Sequence, residues 1–67
     1  MELSARNQIK GTVISIKHGA VMAEVSVEFD SQVITSTITM GSLERLRLTV
    51  GDRVTAIIKA SDVLIGK

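Results

Sequence analysis

Between Val21 and Phe29 the side chains fall into two strict parities, with Val21, Ala23, Val25, Val27 and Phe29 alternating with Met22, Glu24, Ser26 and Glu28. Successive strand residues point to opposite faces, so this stretch commits the chain to a sheet with one buried and one wet side. Upstream, Ile9, Val13, Ile14 and Ile16 sit among Thr and Ser from Gln8 to Ile16, with Gly11 interrupting the run. That pattern predicts a long, bent first strand. Lys17-His18-Gly19-Ala20 reads as the turn into the second strand, Asp30-Ser31-Gln32 as a short hairpin connection, and the β-branched run Val33 to Ile38 as a third strand.

The period changes at Thr39. Met40, Leu43 and Leu46 recur at the spacing one helical face requires, which predicts a short helix capped by Thr39, with Ser42 in its first turn and Arg45 and Arg47 near its positive-charge-favouring end. Thr49-Val50-Gly51-Asp52 then supplies a tight turn before a fourth strand, Arg53 to Ala60. After the polar pair Ser61-Asp62, Val63-Leu64-Ile65 reads as a fifth strand. The expected architecture is all-β: one domain over residues 1–67, folded as a five-stranded OB-fold Greek-key barrel with one short helix between strands three and four. An SH3-like or Sm-like barrel is the competing fold, though it usually places its helix elsewhere.

A chain of 67 residues buries only about 60% of its unfolded surface, so a lone monomer is marginal. Without cysteine no disulfide can compensate, which leaves oligomerisation. The 45% hydrophobic content exceeds the needs of one small core, and part of it is expected to face other subunits. No apolar stretch approaches a membrane span, and Met1 to Arg6 lacks a signal-peptide profile, so a cytoplasmic location is expected. The net charge is +1, with 8 basic and 7 acidic residues dispersed along the chain, which gives no electrostatic footprint for nucleic acid. Phe29 is the lone aromatic residue, so the stacking platform of single-strand binders is missing as well.

Catalysis is equally poorly supplied. His18 is the single histidine, Cys and Tyr are absent, and the acidic residues are scattered, so no nucleophile, base and orienting group can be assembled and no enzyme is expected. Direct protein ligation of a metal would need partners that His18 does not have. The segment Ser4-Ala5-Arg6-Asn7-Gln8 is different, being rich in hydrogen-bond donors where chain ends usually fray. Its residues fit either a strand lead-in that caps loose backbone groups or a ligand-binding arm. By the same token Lys59 reads as a solvated strand residue or an anion ligand, and Ser61 as a turn former or a donor.

The run Ser4-Ala5-Arg6-Asn7-Gln8, followed closely by Gly11, resembles the opening motif of the molbindin family, small molybdate- and tungstate-binding domains also called Mop or TOBE domains. Ile38-Thr39-Met40-Gly41-Ser42 resembles the family's strand-to-helix junction, and Ile57 to Val63 its closing Lys-containing stretch. The chain departs from the pattern at Asp30-Ser31-Gln32, where relatives often carry a Gly pair, and at Met22, where small polar residues are common.

The resemblance implies an oxyanion, molybdate or tungstate, held at a subunit interface. One subunit would contribute Ser4, Ala5 and Arg6, and its neighbour Thr39, Ser42, Lys59, Ala60 and Ser61. It implies a homo-oligomer, a hexamer built as a trimer of dimers, and a second anion site class around Lys17, His18, Gly19, Ala20 and Val21. Storage or homeostasis of the oxyanion is the function that follows. Two alternatives stay open. A nucleic-acid-binding OB-fold module would use Lys10, Lys17, Arg45, Arg47 and Arg53, and a purely structural oligomerisation domain would explain the apolar excess.

Overall fold

The computed structural model describes residues Met1–Lys67. Its elements in chain order are β1 (Asn7–His18), β2 (Met22–Phe29), β3 (Gln32–Thr39), α1 (Met40–Leu46), β4 (Arg53–Ile58) and a 3-10 turn (Ala60–Asp62). The four strands form one sheet in the order β3-β2-β1-β4, and every neighbouring pair is antiparallel. The mostly-β expectation with a short helix between the third and fourth strands therefore holds.

β1 organises the sheet by serving two partners in succession. Asn7 to Thr12 pair with Ile58 to Arg53 of β4, and Thr12 to His18 then pair with Glu28 to Ala23 of β2. A break in register between Val13 and Ser15 bends the strand at this handover. Gly11 makes the bend possible, because a Cβ there would lie 2.5 Å from the Glu28 carbonyl oxygen and 2.6 Å from a Val27 methyl. The β4 lead-in closes on the same bend, with the Gly51 N–H donating to the Val13 carbonyl and the Val13 N–H to that of Asp52. Gly51, at φ 99°, takes the left-handed position of a turn in which the Asp52 N–H donates to the Thr49 carbonyl. The Asp52 carboxylate completes this turn by accepting from both the N–H and the hydroxyl of Thr49.

The β2–β3 connection is tighter than the sequence implied. Gln32 already pairs with Phe29, leaving Asp30 and Ser31 as a two-residue loop with φ 47° and 61°. Both angles are those of the type I′ turn that matches strand twist, a conformation for which glycine is the favoured second residue. Ser31→Gly is expected to stabilise the fold by about 0.5–1 kcal/mol and raise the melting temperature by roughly 2–8 °C. An unchanged thermal midpoint would show that the left-handed serine carries no strain.

α1 begins where predicted. The Thr39 hydroxyl oxygen accepts from the Ser42 N–H at 3.0 Å, and Arg45 lies in the last turn. Arg47 adopts the left-handed conformation that ends the helix, and the Leu48 N–H donates back to the Leu43 carbonyl. Leu43 is the helix residue that enters the core, joining Val13, Ala23, Val25 and Val27.

The structure departs from expectation at three places. β1 runs on to His18, so Lys17 and His18 belong to the ladder, opposite Glu24 and Ala23, and only Gly19 to Val21 form the connection. β4 stops at Ile58, and Lys59 and Ala60 leave the sheet. Val63-Leu64-Ile65 pairs with no strand, so the sheet has four strands and stays open between β3 and β4. The free edges of β3 and β4 are not taken up by this tail, and strand-prone composition without a pairing edge does not make a strand. Along the opening runs an apolar cleft of about 370 Å³, lined among others by Val25, Ile34, Ile38, Leu46, Val54 and Ile58.

Only 6 of the 67 residues are buried. The accessible surface of 5341 Å² exceeds the about 4,100 Å² typical of a compact monomer of this mass, and Leu64 and Ile65 are 91% and 89% exposed.

Candidate oxyanion-binding site

The register of β1 on β4 decides where the polar ends of the chain meet. Asn7 lies opposite Ile58, so the residues just before Asn7 and just after Ile58 leave the ladder side by side. They enclose a cleft of about 360 Å³ lined by Ser4, Ala5, Arg6, Lys59, Ala60 and Ser61. Two amides hold its walls. Asn7 Nδ2 donates to the Ile58 carbonyl at 3.1 Å, and Gln8 Nε2 donates to the Ala5 carbonyl at 2.8 Å. On the other wall Lys59 is extended, with φ −62° and ψ 137°, and its side chain makes no capping bond to the 3-10 turn it precedes. That turn is closed by the Asp62 N–H donating to the Lys59 carbonyl at 2.9 Å and by the Val63 N–H donating to that of Ala60.

The side chains lining this cleft are donor-rich. Ser4 and Ser61 offer hydroxyls, Arg6 a guanidinium and Lys59 an ammonium, and none of the six residues carries a carboxylate. Such a lining suits a small anion that accepts hydrogen bonds through all its oxygens and donates none.

Six of the eight residues anticipated from the sequence thus line one cleft within the chain. Thr39 and Ser42 stand apart at the β3–α1 junction. There the Thr39 hydroxyl donates to the Ser42 hydroxyl at 2.9 Å, and Arg45 donates to the same Ser42 oxygen at 3.3 Å. Ser42 is therefore the acceptor in both contacts, which leaves its own proton to donate outward. At the β1–β2 connection the Val21 carbonyl accepts from the Met40 N–H at 2.8 Å, and Lys17 faces Glu24 across the ladder. Asn7 and Gln8 close the donor-rich segment, and Asn7 caps a backbone carbonyl as the strand lead-in reading expects. Gln8 bonds locally, three residues back, whereas the acceptor of Asn7 lies 51 residues away and becomes evident only once strand register is known.

Residues 3–65 match the family model of the TOBE domain. Molybdenum-pterin-binding protein 3 of Clostridium pasteurianum is 46% identical over 66 residues, an alignment that covers 97% of each chain. Among solved structures, a molybdate-binding protein from Sporomusa ovata superposes with a TM-score of 0.96 at 36% identity, covering all of both chains. The cytoplasmic molybdate-binding protein ModG, solved with molybdate bound, superposes with a TM-score of 0.90 at 43% identity over 96% of this chain and 46% of its own. The chain belongs to the molbindin, or Mop, family of TOBE domains.

Proposed function

We propose that this protein binds molybdate or tungstate in the cleft between Ser4–Arg6 and Lys59–Ser61, and that it stores or buffers the oxyanion in the cytoplasm without catalysing a reaction. The observation that carries this reading is the convergence of two donor-bearing segments from opposite ends of the chain on one cleft whose lining has no carboxylate. Molybdate and tungstate are fully deprotonated at neutral pH, so every oxygen accepts and a donor-only lining satisfies them. A charge-assisted bond contributes about 1.5–3 kcal/mol and a neutral one about 1 kcal/mol, so a half-dozen donors support micromolar binding. Protonated phosphate would need an acceptor. Sulfate differs from molybdate mainly in size, so its rejection falls to the dimensions of the closed site.

Ser42 enters this reading as a donor from a neighbouring subunit, its hydroxyl presenting a free proton to the anion, and Thr39 enters it by holding that hydroxyl in place. Arg6 serves the anion through its backbone N–H and its guanidinium pairs across the interface. The assembly is a homo-oligomer, a hexamer of three dimers. In it the exposed tail Val63–Ile65 fills the apolar opening between β3 and β4 of a neighbour, supplies the fifth strand, and closes the OB-fold barrel over residues 1–67. A weaker second site rests on the backbone N–H groups of Gly19 to Val21, because Lys17 already faces Glu24.

Calorimetric titration of molybdate into the purified protein at physiological salt, with sulfate in large excess, tests the main claim. Saturable heat with micromolar or tighter affinity is expected. No heat in molybdate and in tungstate alike would remove the reading, and polynucleotide binding that fades with salt would then favour a nucleic-acid module using Lys10, Lys17, Arg45, Arg47 and Arg53.

A further inference from the structure

The cleft walls carry carbonyl oxygens as well as donors, and an anion is repelled by any carbonyl turned toward it. The carbonyl of Ala5, a lining residue, and that of Ile58, which precedes the lining residue Lys59, are held by side-chain amides of β1, the first by Gln8 at 2.8 Å and the second by Asn7 at 3.1 Å. In a trans peptide the C=O and the N–H of one unit point in opposite directions. Fixing the Ala5 carbonyl on Gln8 therefore fixes the Arg6 N–H to point away from Gln8, and fixing the Ile58 carbonyl on Asn7 does the same for the Lys59 N–H.

We infer that Asn7 and Gln8 are positioning residues: their side-chain amides withdraw the carbonyls of Ile58 and Ala5 from the cleft and so aim the backbone N–H groups of Lys59 and Arg6 at the bound anion. This inference rests on the oxyanion reading of the cleft and adds to it the origin of its donor-only character. Each wall is tied to the last two rungs of the β1–β4 ladder, one by Gln8 opposite Ile57 and the other by Asn7 opposite Ile58.

Gln8 is exposed, so its amide can be removed without disturbing the core. Gln8→Met keeps length and neutrality but deletes the donor, and Asn7→Leu keeps shape and deletes the other. Each variant is titrated with sodium molybdate, and the amide proton and nitrogen shifts of Arg6 and Lys59 are followed by NMR with and without the anion. Gln8→Met is expected to bind molybdate about five- to tenfold more weakly, the affinity equivalent of one hydrogen bond. In that variant the ligand-induced shift of the Arg6 amide collapses while that of Lys59 persists, and Asn7→Leu gives the mirror result. A general loosening of the fold would diminish both shifts together, and that outcome overturns the inference, as does wild-type affinity with both shifts intact. Failure of the unsubstituted protein to bind molybdate would overturn the oxyanion reading and this inference with it. Binding by the parent and equal binding by both variants would overturn the inference alone.

Discussion

Lys59→Ala is expected to weaken molybdate binding by roughly 10- to 100-fold, the affinity equivalent of a charge-assisted hydrogen bond worth about 1.5–3 kcal/mol, and to leave the melting temperature within a few degrees of the parent. The separation of the two effects follows from where Lys59 sits. It has left β4, it is exposed, and its side chain makes no capping bond to the turn after it, so truncation removes charge from the cleft without removing a contact from the fold. Ser4→Ala, which deletes one neutral donor from the facing wall, is expected to cost about fivefold. Lys59→Arg should fall between parent and alanine, since it keeps the charge but replaces a compact ammonium with a planar fork. Titration calorimetry and a thermal melt on the same samples read both quantities. Parent-like affinity in Lys59→Ala would mean that the anion is held elsewhere.

How far the sequence could be read depended on whether a feature was local. The alternation from Ala23 to Val27 and the capping of α1 by Thr39 are set by neighbours in the chain, and both stand in the structure as expected. The donor cluster Ser4–Arg6 and the stretch Lys59–Ser61 were legible as chemistry, but not as one place. Their union depends on Asn7 lying opposite Ile58, and register is a property of two strands that neither announces alone. Gly11 shows the same limit: its presence marked a bend, whereas the close approach of the Glu28 carbonyl that demands glycine appears only when β2 is in position. Asp30-Ser31 concealed its two-residue turn because neither residue is the glycine that usually signals it. The tail misled for a different reason. Val63-Leu64-Ile65 has the composition of a strand, and composition does not say whose sheet it joins.

That tail carries the other large effect. Replacing Leu64 and Ile65 together by aspartate is expected to convert the assembly to monomers at micromolar concentration and to lower the melting temperature by more than 10 °C. Both side chains stand almost wholly in water in the isolated chain, at 91% and 89% exposure, so the substitution removes nothing that stabilises a single subunit. Fully burying each in a neighbour's cleft would contribute about 1.5–3 kcal/mol, and placing a carboxylate there instead adds the cost of desolvating an unpaired charge. The cleft between β3 and β4 offers an apolar lining and two strand edges whose partners are missing, which is what an extended apolar segment needs in order to bind as a strand. With only 6 of 67 residues buried in one chain, the fold has little stability of its own to fall back on, so loss of assembly and loss of thermal stability should appear together. Sedimentation analysis gives the mass, and melting at two protein concentrations tests the linkage: the parent midpoint rises with concentration, while that of the double variant does not. A double variant that keeps both its mass and its midpoint would show that the tail is a solvated end, and that the open edge between β3 and β4 is covered by something else or by nothing at all.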